Sequence, residues 1–138
     1  MKLGKNSKIE LIRSVPLFAS CSKSELAEIA SLADEIDLPE GKVLIREGDT
    51  GREFFVLIDG TAKVERGGSK VAGLSPGDFF GEIALVAKTP RNATITTTAP
   101  VRALVITDRA FRQLLDKSPQ IAVGVLTALA ERLAPTSL

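Results

Sequence analysis

A glycine, a carboxylate and an arginine fall within one short segment, Phe80-Gly81-Glu82-Ile83-Ala84-Leu85-Val86-Ala87-Lys88-Thr89-Pro90-Arg91-Asn92-Ala93-Thr94. Residues of these types can hold a phosphate beside a sugar hydroxyl. Gly81 has no Cβ and lets the backbone approach a ligand closely. The run from Glu82 to Val86 can form one helical turn whose free N–H groups face an anion. Arg91 adds a planar, permanently charged fork suited to two phosphate oxygens. Glu82 would repel a phosphate, so its natural partner is a hydroxyl donor such as a ribose 2′-OH. Together these groups fit one anionic phosphate fused to a ribose. An isolated Glu and Arg would more readily form a surface ion pair, and only the surrounding segment argues otherwise.

The elements that must position these residues are short. Glu35–Leu38, Lys42–Arg46, Glu53–Ile58, Ala62–Arg66, Lys70–Leu74, Ala93–Thr98 and Val101–Ile106 carry strand signals. Gly41, Gly48, Asp59-Gly60, Gly67-Gly68, Pro76-Gly77-Asp78 and Pro100 punctuate them. Such spacing predicts an antiparallel sandwich or jelly roll rather than a parallel sheet. Gly41, Gly48, Gly60 and Gly77 are expected to be turn glycines.

Helical signals flank this region. Met1 to Lys8 is expected to be a polar arm, Ile9–Val15 a short helix, and Pro16-Leu17-Phe18 a turn that tucks Phe18 inward. Ser22 and Glu25 have capping-box spacing, ahead of Leu26, Ile29, Ala30 and Ala33 on one helical face. After Thr107, an expected N-cap, Phe111, Leu114 and Leu115 mark another helix. Ser118 and Pro119 open the last one, whose apolar face is expected to be Ile121, Ala122, Val125, Leu126, Leu129 and Leu133. Pro135 should stop it.

Composition narrows the chemistry. A chain of 138 residues, 44% apolar and 25% charged, suffices for one globular core. A net charge of +1 gives no electrostatic reason for a nucleic-acid partner. With no histidine and one cysteine, Ser-His-Asp and Cys-His nucleophile pairs are absent and no metal set stands out. Neither catalytic residues nor a metal nor a cofactor is expected. One cysteine fits a reducing, cytoplasmic setting, and no apolar run is long enough for a membrane segment.

The segment from Phe80 to Thr94 resembles the phosphate-binding cassette of the cyclic nucleotide-binding domain family. In that family Phe-Gly-Glu-(Leu/Ile)-Ala-Leu precedes a short spacer and (Pro)-Arg-x-Ala-(Thr/Ser). Here the pattern stands as Phe80-Gly81-Glu82-Ile83-Ala84-Leu85 and Pro90-Arg91-Asn92-Ala93-Thr94. Glu47-Gly48-Asp49, Phe54 to Gly60 and Pro76-Gly77-Asp78-Phe79 are also similar to the family. The resemblance covers roughly Leu17 to Leu133.

It implies a mainly β fold, a double-stranded β-helix or jelly-roll β-roll of eight strands, with N-terminal helices and two C-terminal helices. Residues 1–16 would be an arm and short helix, and residues 17–138 the cyclic nucleotide-binding domain. The implied function is a non-enzymatic receptor or regulatory domain that binds cAMP, less readily cGMP, and shifts its C-terminal helices. The alternative is the same fold kept as an interaction module without nucleotide binding. The ligand-binding set begins with Phe80, Gly81 and Glu82. Ile83, Ala84 and Ala93 would serve through backbone N–H groups and small size, and Arg91 through its charge. Asn92 stands where base selectivity is set, Val71 and Ala72 flank the purine, and either Arg132 by a cation–π stack or Leu129 and Leu133 by apolar contact could cover it. A fused effector or protein partner is left open, with no direct nucleic-acid binding by this chain.

Overall fold

A computed structural model describes residues 3–133, with side chains described as far as residue 131. The chain divides into a helical unit, formed by the segments up to Leu32 and from Ala110, and a strand unit, Ala33–Arg109.

The strand unit holds two antiparallel sheets of four strands each, in the orders β1-β8-β3-β6 and β2-β7-β4-β5. The first sheet contains β1 (Asp34–Leu38), β8 (Val101–Thr107), β3 (Glu53–Asp59) and β6 (Phe79–Phe80). The second contains β2 (Val43–Ile45), β7 (Thr94–Thr97), β4 (Ala62–Arg66) and β5 (Ser69–Leu74). This is the jelly-roll arrangement expected, as two facing sheets rather than a closed barrel. Ile45, Ala62 and Ile95 from one sheet meet Phe55, Leu57, Phe80 and Ala103 from the other in a single core. Removing such side chains from water stabilises the fold by roughly 1.5–3 kcal/mol for each large one.

Strand β3 departs from simple alternation, because Phe54, Phe55, Val56 and Leu57 are all buried. A continuous apolar run is what a strand covered on both faces requires. Strand β6 was not legible in the sequence. It consists of Phe79 and Phe80 alone, paired with Val56 and Phe55. Two residues carry no periodicity, and tertiary pairing alone defines them as a strand. Phe80 stacks on Phe55 at 5.1 Å between ring centroids.

The expected turn glycines Gly41, Gly48, Gly60 and Gly77 all have positive φ. Among the described residues, Thr97 is the buried polar side chain. Its hydroxyl donates to the Pro39 carbonyl at 2.7 Å and accepts from the Lys42 N–H at 2.8 Å, so its burial leaves nothing unpaired.

In the helical unit, α1 runs Lys5–Arg13, earlier than the helix expected from Ile9. Burial of Ile9 and Ile12 needs a preceding turn to carry them, and Lys8 N–H already bonds to the Gly4 carbonyl at 3.1 Å. A 3-10 turn, Pro16–Phe18, buries Phe18, whose ring lies 5.7 Å from Phe111. Helix α2 (Lys23–Ser31) opens on the expected capping box of Ser22 and Glu25. Helix α3 spans Asp108–Lys117 and α4 spans Pro119–Leu133. Ser118 takes the position before Pro119, and its hydroxyl donates to Glu28 Oε1 at 3.1 Å.

The apolar face of α4 is corrected in one place. Ile121, Val125 and Ala128 are buried, whereas Leu126 is 65% exposed. Buried positions recur at i, i+4 and i+7, and Leu126, five residues after Ile121, falls off that stripe. Pro135 and the Leu133 side chain lie outside the described residues. No helix among the described residues is long and apolar enough to cross a membrane.

Gly60 turns the chain directly against backbone. Its φ is +89° and a Cβ there would run into the Pro100 carbonyl oxygen. Gly60→Ala should therefore destabilise the domain by about 2–4 kcal/mol, combining left-handed strain with overpacking against backbone. Urea denaturation measures this directly, and a loss below about 0.5 kcal/mol would mean the turn relaxes freely.

Candidate functional site

Phe80 leads out of the first sheet, and Gly81 turns the chain with φ +83° and ψ 11°. That left-handed geometry favours glycine and starts a 3-10 turn, Glu82–Leu85. Ala84 and Leu85 anchor the turn inward, while Ile83 stays 43% exposed. The chain then returns past Thr89 and Pro90 to Arg91, beside the loop that joins β2 and β3.

Backbone bonds fix the return. Arg91 N–H donates to the Asp49 carbonyl at 2.7 Å, and the Arg91 carbonyl accepts from Gly48 N–H at 2.8 Å. Gly51 N–H adds a 3.3 Å bond to the Thr89 carbonyl. The Arg91 side chain is held as firmly as its backbone. Its Nη2 donates to the Glu53 carbonyl at 2.7 Å, and its Nη1 makes a longer 3.4 Å contact to the Gly81 carbonyl.

Two glycines make room for this guanidinium. A Cβ on Gly51 would lie 2.8 Å from its Cζ, and one on Gly81 would lie 2.8 Å from its Nη1. Gly81 also has positive φ and would meet the Glu53 carbonyl oxygen. Gly51 has no such backbone requirement, so space for Arg91 is its reason for being glycine.

Burial lowers the Arg91 pKa from its ordinary value, with the Glu53 and Glu82 carboxylates acting in the opposite direction. A half-buried cation that has lost part of its hydration is ready to receive an anion. Glu82 forms no ion pair with Arg91 among the described residues. Both charged groups remain available to a ligand.

These groups border a cleft of about 380 Å³. The expected residues from Phe80 to Ala84 and from Arg91 to Ala93 all line it. Its second wall comes from β4 and β7, where Val64 and Ile95 pair directly across the strands. The cleft thus joins a charged end to an apolar wall, a composition suited to a small ligand with an anionic group and a flat body.

Val71 and Ala72 are not among its lining residues. Val71 is 52% exposed and is the extra residue of a bulge, because Val64 opposes Ala72 while Glu65 opposes Lys70. A bulge re-aims side chains, and directly opposed residues share a sheet face, so Ala72 lies on the face of Val64. The Arg132 side chain lies outside the described residues.

Gly51, Val64, Arg66 and Ile95 also line the cleft, though nothing in the sequence marks them for it. Gly51 looks like another loop glycine, and nothing local shows that a distant guanidinium fills its space. Val64 and Ile95 look like ordinary strand core. Arg66 looks like a solvated charge at a strand end.

Gly51→Ala separates positioning from folding. The three atoms nearest the added methyl all belong to the end of the Arg91 side chain, so the loss of stability should be limited to its displaced carbonyl bonds, about 1–2 kcal/mol. Arg91 must move, and the affinity of an anionic ligand for the cleft should fall by roughly 1.5–3 kcal/mol, the worth of one charged hydrogen bond. Calorimetric titration alongside urea denaturation checks both halves, and unchanged affinity would show that Arg91 tolerates displacement.

A family model described as a cyclic nucleotide-binding domain matches residues 35–118. A cAMP-dependent protein kinase regulatory subunit of Mycosarcoma maydis is 36% identical over 132 residues, covering 89% of this chain. A cyclic nucleotide-gated potassium channel of Mesorhizobium japonicum is 34% identical over 93% of this chain. The chain spans only 24% and 36% of the lengths of these two relatives. Among solved structures, the N-terminal domain of a transcriptional regulator from Streptomyces coelicolor A3(2) superposes with a TM-score of 0.82. It shares 31% identity and covers 92% of this chain and 94% of its own. With the matched span running from β1 through α3, the chain belongs to the cyclic nucleotide-binding domain family.

Proposed function

We propose that this chain is a regulatory receptor domain for a 3′,5′-cyclic nucleotide, with cAMP as a ligand, and that it performs no catalysis. The observation that carries this is the half-buried Arg91 guanidinium, fitted between Gly51 and Gly81 beside an uncommitted Glu82. In this reading Arg91 takes the cyclic phosphate, helped by backbone N–H groups of the Glu82–Leu85 turn and of Ala93. Glu82 accepts from the ribose 2′-OH. The base lies along the apolar wall, with Val71 and Ala72 at its flank and Arg132 as a candidate cover. Kinase regulatory subunits named for cAMP among the relatives support the choice of ligand. The receptor domain is taken as residues 17–138, placed in the cytoplasm and working without metal or cofactor.

A receptor must report occupancy, and we assign that role to the C-terminal helices α3 and α4. A ligand shifts such an equilibrium only by its differential affinity for the two states. Helix α4 is 15 residues long, with a narrow buried stripe, so modest packing energy is at stake in its placement.

Arg91→Ala should weaken cAMP binding by about 2–5 kcal/mol, roughly 30- to several-thousand-fold, and Arg91→Lys should weaken it as well because a point charge lacks the fork. Glu82→Gln should cost about 1–2 kcal/mol and reduce the preference for cAMP over 2′-deoxy-cAMP. Equal affinity of wild type and a folded Arg91→Ala would sink the assignment. Hydrogen exchange tests the reporting step: protection across α4 should change when cAMP is added. Identical exchange with and without bound ligand would leave a static binding domain.

A further inference from the structure

The cleft contains a second guanidinium that phosphate and ribose recognition does not use. On β4, Lys63 and Glu65 form an ion pair at 3.4 Å, which places them on one face of the strand. Alternation therefore sends Ala62, Val64 and Arg66 to the other face, toward the cleft, and Val64 and Arg66 both line it. Arg66 Nε donates to the Asn92 carbonyl at 3.0 Å, one residue after Arg91. The next residue is also pinned, with Gly67 N–H bonded to Glu47 Oε1 at 3.0 Å. The Arg66 guanidinium is thus oriented by its Nε, while Nη1 and Nη2 have no protein partner among the described residues.

We propose that Arg66 reads the base of the bound nucleotide, its free Nη donors favouring a 6-oxopurine over a 6-aminopurine. This rests on the receptor reading above. An arginine can only donate hydrogen bonds. Guanine offers two acceptors side by side, N7 and O6, whereas adenine offers N7 beside the N6 donor. The fork satisfies both guanine atoms but meets a like donor on adenine. With the phosphate at Arg91, a base lying along Val64 and Ile95 comes under the strand end that carries Arg66. Arg66 therefore adds affinity for guanine that adenine does not share, and cGMP binds alongside cAMP because of it.

The test is calorimetric titration of wild type, Arg66→Ala and Arg66→Lys with cAMP, cGMP and cyclic inosine monophosphate. The inosine ligand keeps O6 and N7 but lacks the 2-amino group. Arg66→Ala removes the tether to Asn92 for every ligand, but should weaken cGMP and cyclic inosine monophosphate on the order of tenfold more than it weakens cAMP. Arg66→Lys should behave like the alanine variant, because it keeps the charge and loses the fork. Equal loss for all three ligands would make Arg66 a phosphate or tethering residue and overturn the proposal, as would no loss for any. If wild type bound none of the three, the receptor reading would fall and this assignment with it. Wild-type binding with equal losses overturns this assignment alone.

Discussion

A guanidinium taken half out of water must be given both space and partners, and the geometry of the cleft follows from that requirement. Space comes from Gly51 and Gly81, either of which would collide with Arg91 if it carried a side chain. Partners come from the backbone, through the Glu53 and Gly81 carbonyls. Carbonyl partners orient the fork without neutralising it. A carboxylate in their place would satisfy the charge and compete with any incoming anion. Three of the five guanidinium N–H groups then remain for a ligand.

The two sheets serve this arrangement by fixing where loops meet. Thr50 and Pro90 form an isolated antiparallel bridge, so the loop after β2 and the return from the 3-10 turn behave as a short ladder outside either sheet. Phe80 ties the start of the same turn to the core through Phe55. Both ends of the binding segment are therefore anchored in rigid structure, while Ile83 and Val86 between them stay exposed. The candidate site sits on a loop, and its geometry is set by the scaffold beneath it.

Much of the frame was legible in the sequence because its signals are local. Alternating apolar residues, positive-φ glycines and the Ser22 capping box each depend on a few neighbouring residues. The segments Phe80–Ala84 and Arg91–Ala93 were legible for another reason: residue types with one joint chemical use stand close together. What stayed hidden is non-local. Strand β6 exists only through its pairing with Val56 and Phe55. Gly51 is needed only because Arg91 arrives from forty residues further along the chain. The bulge at Val71 arises from register with β4, which no period-two pattern on β5 could reveal. Arg66 gained a direction only when its Nε found Asn92. The arm before Ile9 turned helical at Lys5 for the sake of side chains further along, which is tertiary burial overriding a polar local sequence.

The binding segment is continuous along the chain, yet the groups that shape it lie far upstream, with 38 residues separating Arg91 from Glu53. Closing a loop of that length costs entropy that is recovered only when the sheets form as well. The cleft is therefore a property of the native state, and a peptide copied from residues 80 to 94 would not contain it. Any molecule that binds only there pulls the folding equilibrium by mass action, by about 2.7 kcal/mol at a hundredfold excess over Kd. Against a typical domain stability of about 5–15 kcal/mol, that is a large share. Occupancy by such a molecule would therefore also lengthen the time for which each copy of the domain withstands proteolysis of its unfolded form.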